Sequence, residues 1–451
     1  MKRITILLLV VLTVMGIGCV NSEENEFEDI NSWIKESMEE NYLWNERVPD
    51  KVDGSIPPNA FFGSMLDPND YFSYIVSSKT LVEDNSFGRT FTSGLSPSFG
   101  RFNNSSGVFA IAEYVYPNSS ADTAGLKRGD IILAIDGTPL NTSNYLNLFY
   151  AEKSTIRYSL GAFDLASNTI DETGETISVE QREIEFNPIV YTDIISEGNN
   201  KIGYLFYSMF LSGENDKYND SLDIAMQNMI AEGVTDLVVD LRYNTGGDMD
   251  AAENLANSLV SSSAAQSEEV FVRFRYNDIV QQRIIEEEGA DSERLVLKFS
   301  SDPENLGLQN IYFLTSNKTS TTSELLINGL TPHMNVNTIG EATNGQFFGS
   351  TVITGETATP PNEFAIVPIN LQYENSEGTT NLVLGIQPDS PVEDDLLIPY
   401  ELGDINDPVL KEALSLITGN GSAASKISAK KYESLEDVKA KRRGSILFNR
   451  D

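Results

Sequence analysis

Asn317 to Ser350 reads NKTSTTSELLINGLTPHMNVNTIGEATNGQFFGS, and the fold and function of the chain turn on it. A hydroxyl-rich loop, Thr319 to Ser323, runs into an apolar-periodic segment carrying Glu324, Leu325, Leu326, Ile327 and Leu330. A short strand, a Gly-rich turn and another strand follow. Hydroxyls just before such a run are helix N-cap chemistry, because a side-chain oxygen can satisfy an unpaired helix N–H. The same position suits a nucleophile, because helix N-terminal amides stabilise an oxyanion. These residues alone leave both readings open.

Outward from this stretch the pattern is α/β. Lys201 to Tyr207, Thr235 to Leu241 and Ile311 to Leu314 are short apolar runs of strand length. Ser221 to Ala231 has helical spacing, and Asp250 to Val260 predicts a second helix. Between strand and helix lies Arg242-Tyr243-Asn244-Thr245-Gly246-Gly247, a generic place to bind an anion. Further strands are expected at Phe364 to Ile369 and Asn381 to Ile386, with a closing helix at Pro408 to Ile417. Glu286 to Glu293 reads as a solvated acidic insertion. His333 sits between helix and strand and reads as a surface histidine. This α/β core spans 186–420. Beyond it, 421–451 is a basic tail (Lys426, Lys430, Lys431, Lys439, Lys441, Arg442, Arg443), expected to be loosely packed.

Residues 88–185 differ in character, with short β-rich runs separated by turn residues. Ser119 to Asp130 leads a short helix into AGLKRGDIILAIDG, in which Gly125, Gly129 and Gly137 serve tight turns. This segment resembles a PDZ domain. Such a domain adds an extended peptide as a strand to a sheet edge and captures its terminal carboxylate in a backbone nest. The resemblance assigns the carboxylate loop to Ser93, Gly94, Leu95 and Ser96, ahead of a strand-like Pro97 to Gly100. The family loop usually has a second glycine where Ser96 stands.

Residues 29–87 form a small N-terminal helical unit. Ile30, Trp33, Ile34, Met38 and Tyr42 recur at helical spacing, and a short helix is expected at Ala60 to Leu66. Ahead of it come a basic start and an apolar run of signal-peptide length, Ile4 to Ile17, ending Gly16-Ile17-Gly18-Cys19. Small residues before a cysteine resemble the lipobox of bacterial lipoproteins, with Cys19 the lipidated residue and 1–19 its signal. Residues 20–28 read as an acidic tether. This implies a lipid-anchored protein of the bacterial cell envelope, at the outer membrane, with either a periplasmic or a surface-facing body.

The 451 residues carry 31 basic and 67 acidic side chains, a net charge of −36. That balance argues against nucleic acid and against anionic membrane surfaces, both of which need a basic face. One Cys and one His exclude a disulfide framework and leave little for a zinc site, so neither metal nor cofactor is expected.

Taken together, strand–DLRYNTGG–helix, then strand–TSNKTSTTSELLINGL, then TIGEATNGQ, all after a PDZ-like domain, resemble the C-terminal processing (tail-specific) serine peptidases. The likeness covers roughly residues 30 to 420. It implies an α+β multidomain chain that binds unfolded peptides or protein C-terminal tails and cuts with a Ser/Lys dyad. The lysine there must be uncharged, which requires burial. The family's Ser-Ala-Ser-Glu is here Thr321-Thr322-Ser323-Glu324, so Thr321 holds the nucleophile position. The family's Gly-Glu-x-Thr-x-Gly-Lys is here Gly340 to Gln346, so Gln346 holds the lysine position. Gly246 and Thr322 would supply the oxyanion amides. Thr321 keeps a hydroxyl but adds a crowding methyl. Gln346 cannot accept a proton at neutral pH. The resemblance thus implies a peptide-binding lipoprotein with lost or much reduced proteolysis. Two alternatives stand beside it. One is an active endopeptidase using Thr321 or a neighbouring Ser320 or Ser323 with an unconventional base such as Lys318. The other is a structural envelope lipoprotein.

Overall fold

The computed structural model describes residues 22–80, 89–102, 106–301, 304–380, 384–420 and 432–443. Cys19 and the signal segment lie outside them. The first helix begins at Ser22, so most of the expected tether is helical, and it runs to Asn41. Within the described residues no helix is long and apolar enough to cross a membrane.

The core is a six-stranded sheet. Asn200–Tyr207, Asp236–Asp240, Asn310–Thr315, Asn335–Gly340 and the short Ser390–Pro391 run parallel in that order, and Ile189–Glu197 closes one edge antiparallel. Parallel central strands are buried on both faces and therefore read as unbroken apolar runs. One face packs against the helices Lys217–Glu232, Met249–Leu259 and Thr322–Leu330. The other packs against the helix Pro408–Thr418 and against the second domain.

That second domain is a β structure in which Leu95–Arg101, Phe109–Val115, Ile131–Ile135, Thr155–Asp164 and Thr169–Glu180 pair antiparallel in sequence. The strand Phe109–Val115 faces two ways, as the two-residue period of a strand requires. Ala110 and Ala112 enter the domain's own core. Phe109 and Ile111 enter the cluster that covers the central sheet, together with Tyr204, Val238 and Val409. The two domains therefore share an apolar interface.

The N-terminal unit is less separate than its helices suggest. Its strand Tyr74–Ser77 pairs antiparallel with Phe364–Val367 of the core, and Ile34, Met38 and Phe62 pack with Ile366 and Ile369. Three further expectations need correction. The strand expected at Phe364 to Ile369 breaks at Pro368, which lacks an N–H, into Phe364–Val367 and Ile369–Asn375 on different sheets. Residues 384–386 are not strand, while 381–383 lie outside the described residues. The acidic run starting at Glu286 continues a helix, Asp278–Glu287, whose Val280 and Ile284 are buried.

A buried ionic cluster joins the domains. Arg242 donates to Asp240 at 2.7 Å, to Asp407 at 2.9 Å and to Asp394 at 3.1 Å. Arg128 of the β domain donates to the same Asp394 at 3.1 Å and to the Tyr400 carbonyl at 2.8 Å. Removing the central charge takes the ionic partner from Asp240 and Asp407, while Asp394 keeps Arg128, so Arg242→Met should lose about 3–5 kcal/mol of stability. Denaturant unfolding monitored by fluorescence checks this; an unchanged midpoint would show the cluster to be dispensable.

Candidate active site

Two loops build the site, and hydroxyls stitch them together. Arg242 to Gly247 leaves the C-terminal end of one central strand; Ser316 to Thr321 leaves the next. Thr319 Oγ1 donates to the Leu241 carbonyl at 2.8 Å, and Thr322 Oγ1 to the Gly247 carbonyl at 2.7 Å. Ser323 Oγ donates to the Asn244 carbonyl at 3.3 Å. Gly247 has φ +130°, and a Cβ there would lie 2.1 Å from the Phe210 carbonyl oxygen, so only glycine fits the turn.

Thr321 precedes the helix Thr322–Leu330 with φ 49° and ψ −108°. A β-branched residue at positive φ is strained, and such strain concentrates at functional sites. Its Oγ1 donates to the Thr245 carbonyl at 2.8 Å. Gln346 is buried nearby, and its Oε1 accepts from Ser320 Oγ at 3.3 Å. Tyr373 Oη bridges Thr321 and Gln346, its one proton shared between the Thr321 carbonyl at 3.0 Å and the Gln346 carbonyl at 3.4 Å. The Gly246 amide donates to Asn244 Oδ1 at 2.8 Å, so a substrate oxygen would have to displace that side chain. Thr322 lies at the first turn beside it.

Glu324 ties the Gly-rich turn to the helix start. Its carboxylate accepts from the amides of Gly345 at 2.7 Å, Gln346 at 2.9 Å and Thr321 at 3.1 Å, and from the Thr343 hydroxyl. Burial pushes its pKa up to about 7, while these four donors pull the other way. Lys318 does not face Thr321. Its ammonium pairs with Glu113 of the β domain and donates to the Pro97 carbonyl at 3.3 Å. Burial pushes the Glu113 carboxyl up, against the pull of that lysine.

His333 is remote from this site and is not at the surface. Its side chain is 6% exposed, bonded to Glu269 at 2.9 Å and the Val270 carbonyl at 3.0 Å, with Phe299 edge-on. The expectation failed because a loop position with one histidine carries no periodic signal of burial.

In the β domain the expected carboxylate loop is partly strand, since Leu95 already pairs with Val115 and Ser96 with Tyr114. Ser93 Oγ bonds Tyr158 Oη at 3.2 Å, and Ser96 Oγ donates to Glu113 at 3.2 Å. Gly94 has φ 92° and its missing Cβ makes room for Ser119. Among the described residues no group of His, Cys, Asp or Glu could hold a metal ion.

Comparison with known proteins accords with this arrangement. Residues 201–392 match the model of peptidase family S41, residues 29–74 that of the peptidase S41 N-terminal domain, and residues 111–155 that of a PDZ domain. Residues 201–392 are thus a peptidase family S41 domain, preceded by a PDZ domain at 111–155. It is similar to the chloroplastic C-terminal processing peptidase of Tetradesmus obliquus, 23% identical over 295 residues, or 62% of this chain. It is also similar to the carboxyl-terminal-processing protease of Synechocystis sp., 23% identical over 312 residues, or 69% of this chain. The matches span 56% and 65% of those relatives' lengths. A crystal structure described as an S41 protease from Bacteroides fragilis is 26% identical with a TM-score of 0.67, covering 86% of this chain and 98% of that one.

The sequence marks Thr321 and Gln346 as candidates but does not mark Asn244 and Tyr373. Asn244 lay inside a quoted motif and could have been weighed for its amide. Tyr373 is one apolar position of the alternating strand Ile369–Asn375, and no sequence signal sets it apart. Because Glu324 has its pKa raised from the ordinary 4.5 to about 7, the native state binds a proton more readily than the unfolded chain. Stability attributable to it is therefore greatest below about pH 4.5 and falls as pH rises towards 7, by a few kcal/mol. Glu324→Gln should flatten that slope in melting curves taken between pH 4.5 and 7.5; an equal slope in both proteins would remove Glu324 from the explanation.

Proposed function

We propose that this chain binds extended peptides or protein C-terminal tails through its PDZ domain and peptidase-like cleft, with proteolysis lost or much reduced. The observation that carries the reading is at the base position: Gln346 presents a carboxamide, accepting a hydroxyl proton from Ser320 at 3.3 Å. A carboxamide cannot take that proton away at neutral pH. The Thr321 hydroxyl is directed at a backbone carbonyl, Thr245 at 2.8 Å, which is equally unable to act as a base. Loss of a general base alone costs about 10²–10⁴ in rate. The substitute lysine is engaged elsewhere, since Lys318 pairs with Glu113. The frame that would hold a substrate, by contrast, is assembled. We extend the proposal to the cell envelope: Gly-Ile-Gly-Cys ending at Cys19 supports lipid anchoring there, and lipid labelling should be lost in Cys19→Ala.

Two measurements test the catalytic part. The unaltered chain should bind an unstructured peptide without cutting it, and Thr321→Ser combined with Gln346→Lys should gain cleavage by at least the 10²-fold that a base contributes. Cleavage by the unaltered chain that disappears in Thr321→Ala would overturn the proposal.

A further inference from the structure

The edge strand Leu95–Arg101 of the PDZ domain is already paired. Residues of the basic tail, expected to be loose, form the strand Glu433–Leu435 and add to it antiparallel, with Glu433 opposite Arg101, Ser434 opposite Gly100 and Leu435 opposite Phe99. The pairing runs towards the loop at Ser93 to Ser96, the polarity a strand-adding peptide takes when its C-terminus enters a carboxylate nest. The segment lies between that strand and the short helix Tyr145–Phe149. Tyr145 Oη donates to the Glu436 carbonyl at 2.7 Å, and Tyr150 Oη to the Asp437 carboxylate.

The side chains are individually received. Arg101 grips Glu433 with two bonds of 2.8 and 3.0 Å. Leu435 packs on the PDZ core beside Phe99. Tyr432 sets its ring edge-on to Phe109 at 5.3 Å, and a Cβ on Gly100 would meet that tyrosine ring at 2.6 Å. The strand is thus bare at the one residue where the tail's aromatic ring crosses it.

The segment then crosses to the peptidase-like site. Asp437 caps the helix Val438–Arg443, accepting from the amides of Ala440 at 3.0 Å and Lys439 at 3.1 Å. Thr245 Oγ1 donates to the Ala440 carbonyl at 3.3 Å, and the Thr245 carbonyl is the one that accepts the Thr321 hydroxyl. A cavity of about 260 Å³ lies beneath, with Glu113, Lys318 and Ser320 on one side and Tyr432, Asp437 and Ala440 on the other.

We propose that residues 432–440 are an internal occupant of the PDZ groove, that a peptide in trans enters only as they leave, and that the groove's partner shares their pattern. That pattern is an aromatic over Gly100, an acid at Arg101, a small residue, then an aliphatic on Phe99. The inference rests on the reading that this groove takes extended peptides. On the same chain the segment stands at an effective concentration of order millimolar, which for a segment of about 10–100 μM intrinsic Kd holds back a competing peptide roughly ten- to a hundred-fold.

The test uses the full chain and a fluorescent peptide of residues 432–440, YESLEDVKA. Leu435→Asp should expel the tail strand. The expected result is anisotropy binding at least roughly tenfold tighter by the variant than by the unaltered chain, with hydrogen exchange accelerated at residues 96–101 in the variant alone. Equal affinity for the two proteins, or exchange unchanged by Leu435→Asp, would overturn internal occupancy. An unrelated unstructured peptide serves as the second arm. If it binds the variant and YESLEDVKA does not, the inference fails and the peptide-binding reading stands. If exchange shows the tail released but neither peptide binds, the peptide-binding reading itself fails and the shared-pattern claim with it.

Discussion

The structure hangs on one buried guanidinium. Arg242 is fully enclosed, and it stands where three parts of the molecule meet: its own strand through Asp240, the segment after the sheet through Asp394, and the closing helix through Asp407. Bringing four charges out of water is expensive, and the attraction recovers the cost only if each lone pair and N–H is placed. Here placement is dense. Burial pushes the Asp394 carboxyl upward, but Arg242 and Arg128 beside it outweigh this and hold it below the ordinary range. Because the Arg242 carbonyl also accepts the Ser316 hydroxyl, the position of the charge sets the position of the loop that leads to Thr321. Domain packing and site geometry are thereby one constraint.

The site that results is densely hydrogen-bonded. The hydroxyls of Ser316, Thr319, Thr321, Thr322 and Ser323 are spent on backbone carbonyls of the facing segment 241–247, a structural use that suits a frame. Glu324 gathers three amides and a hydroxyl from both halves of the site, which explains why a carboxylate is tolerated where almost no water reaches. The groups that receive the Ser320 and Thr321 hydroxyls, the Gln346 carboxamide and the Thr245 carbonyl, cannot take a proton at neutral pH, and the one lysine on the loop fastens it to the PDZ domain.

Much of this was legible in the sequence because motifs and periodicity are local. The strand–turn–helix of 235–260 and the PDZ turn glycines each declare themselves within a single short stretch of chain. What remained hidden depends on partners distant in sequence. Pro368 reads as part of one apolar run, and only the existence of two different sheets to join makes it a break. Tyr74 to Ser77 has strand-forming residues but is only four long, and the partner that makes it a strand lies in Phe364 to Val367. The tail's lysines and arginines gave a solvated average, while the residues that pack, Tyr432 and Leu435, are too few to form a pattern.

The strand pairing of Tyr74–Ser77 bears on the order of assembly. The Ser78 amide donates to the Glu363 carbonyl at 2.6 Å, and Ile34, Met38 and Phe62 share a core with Ile366 and Ile369. The helices made first on the ribosome therefore lack their partner surface until most of the chain has been synthesised. Contacts of such long separation are slow to form, since loop-closure entropy is spent before they give anything back. The unit built on Ile34, Met38 and Phe62 is therefore among the last parts to be sealed, its apolar face open until Ile366 and Ile369 arrive.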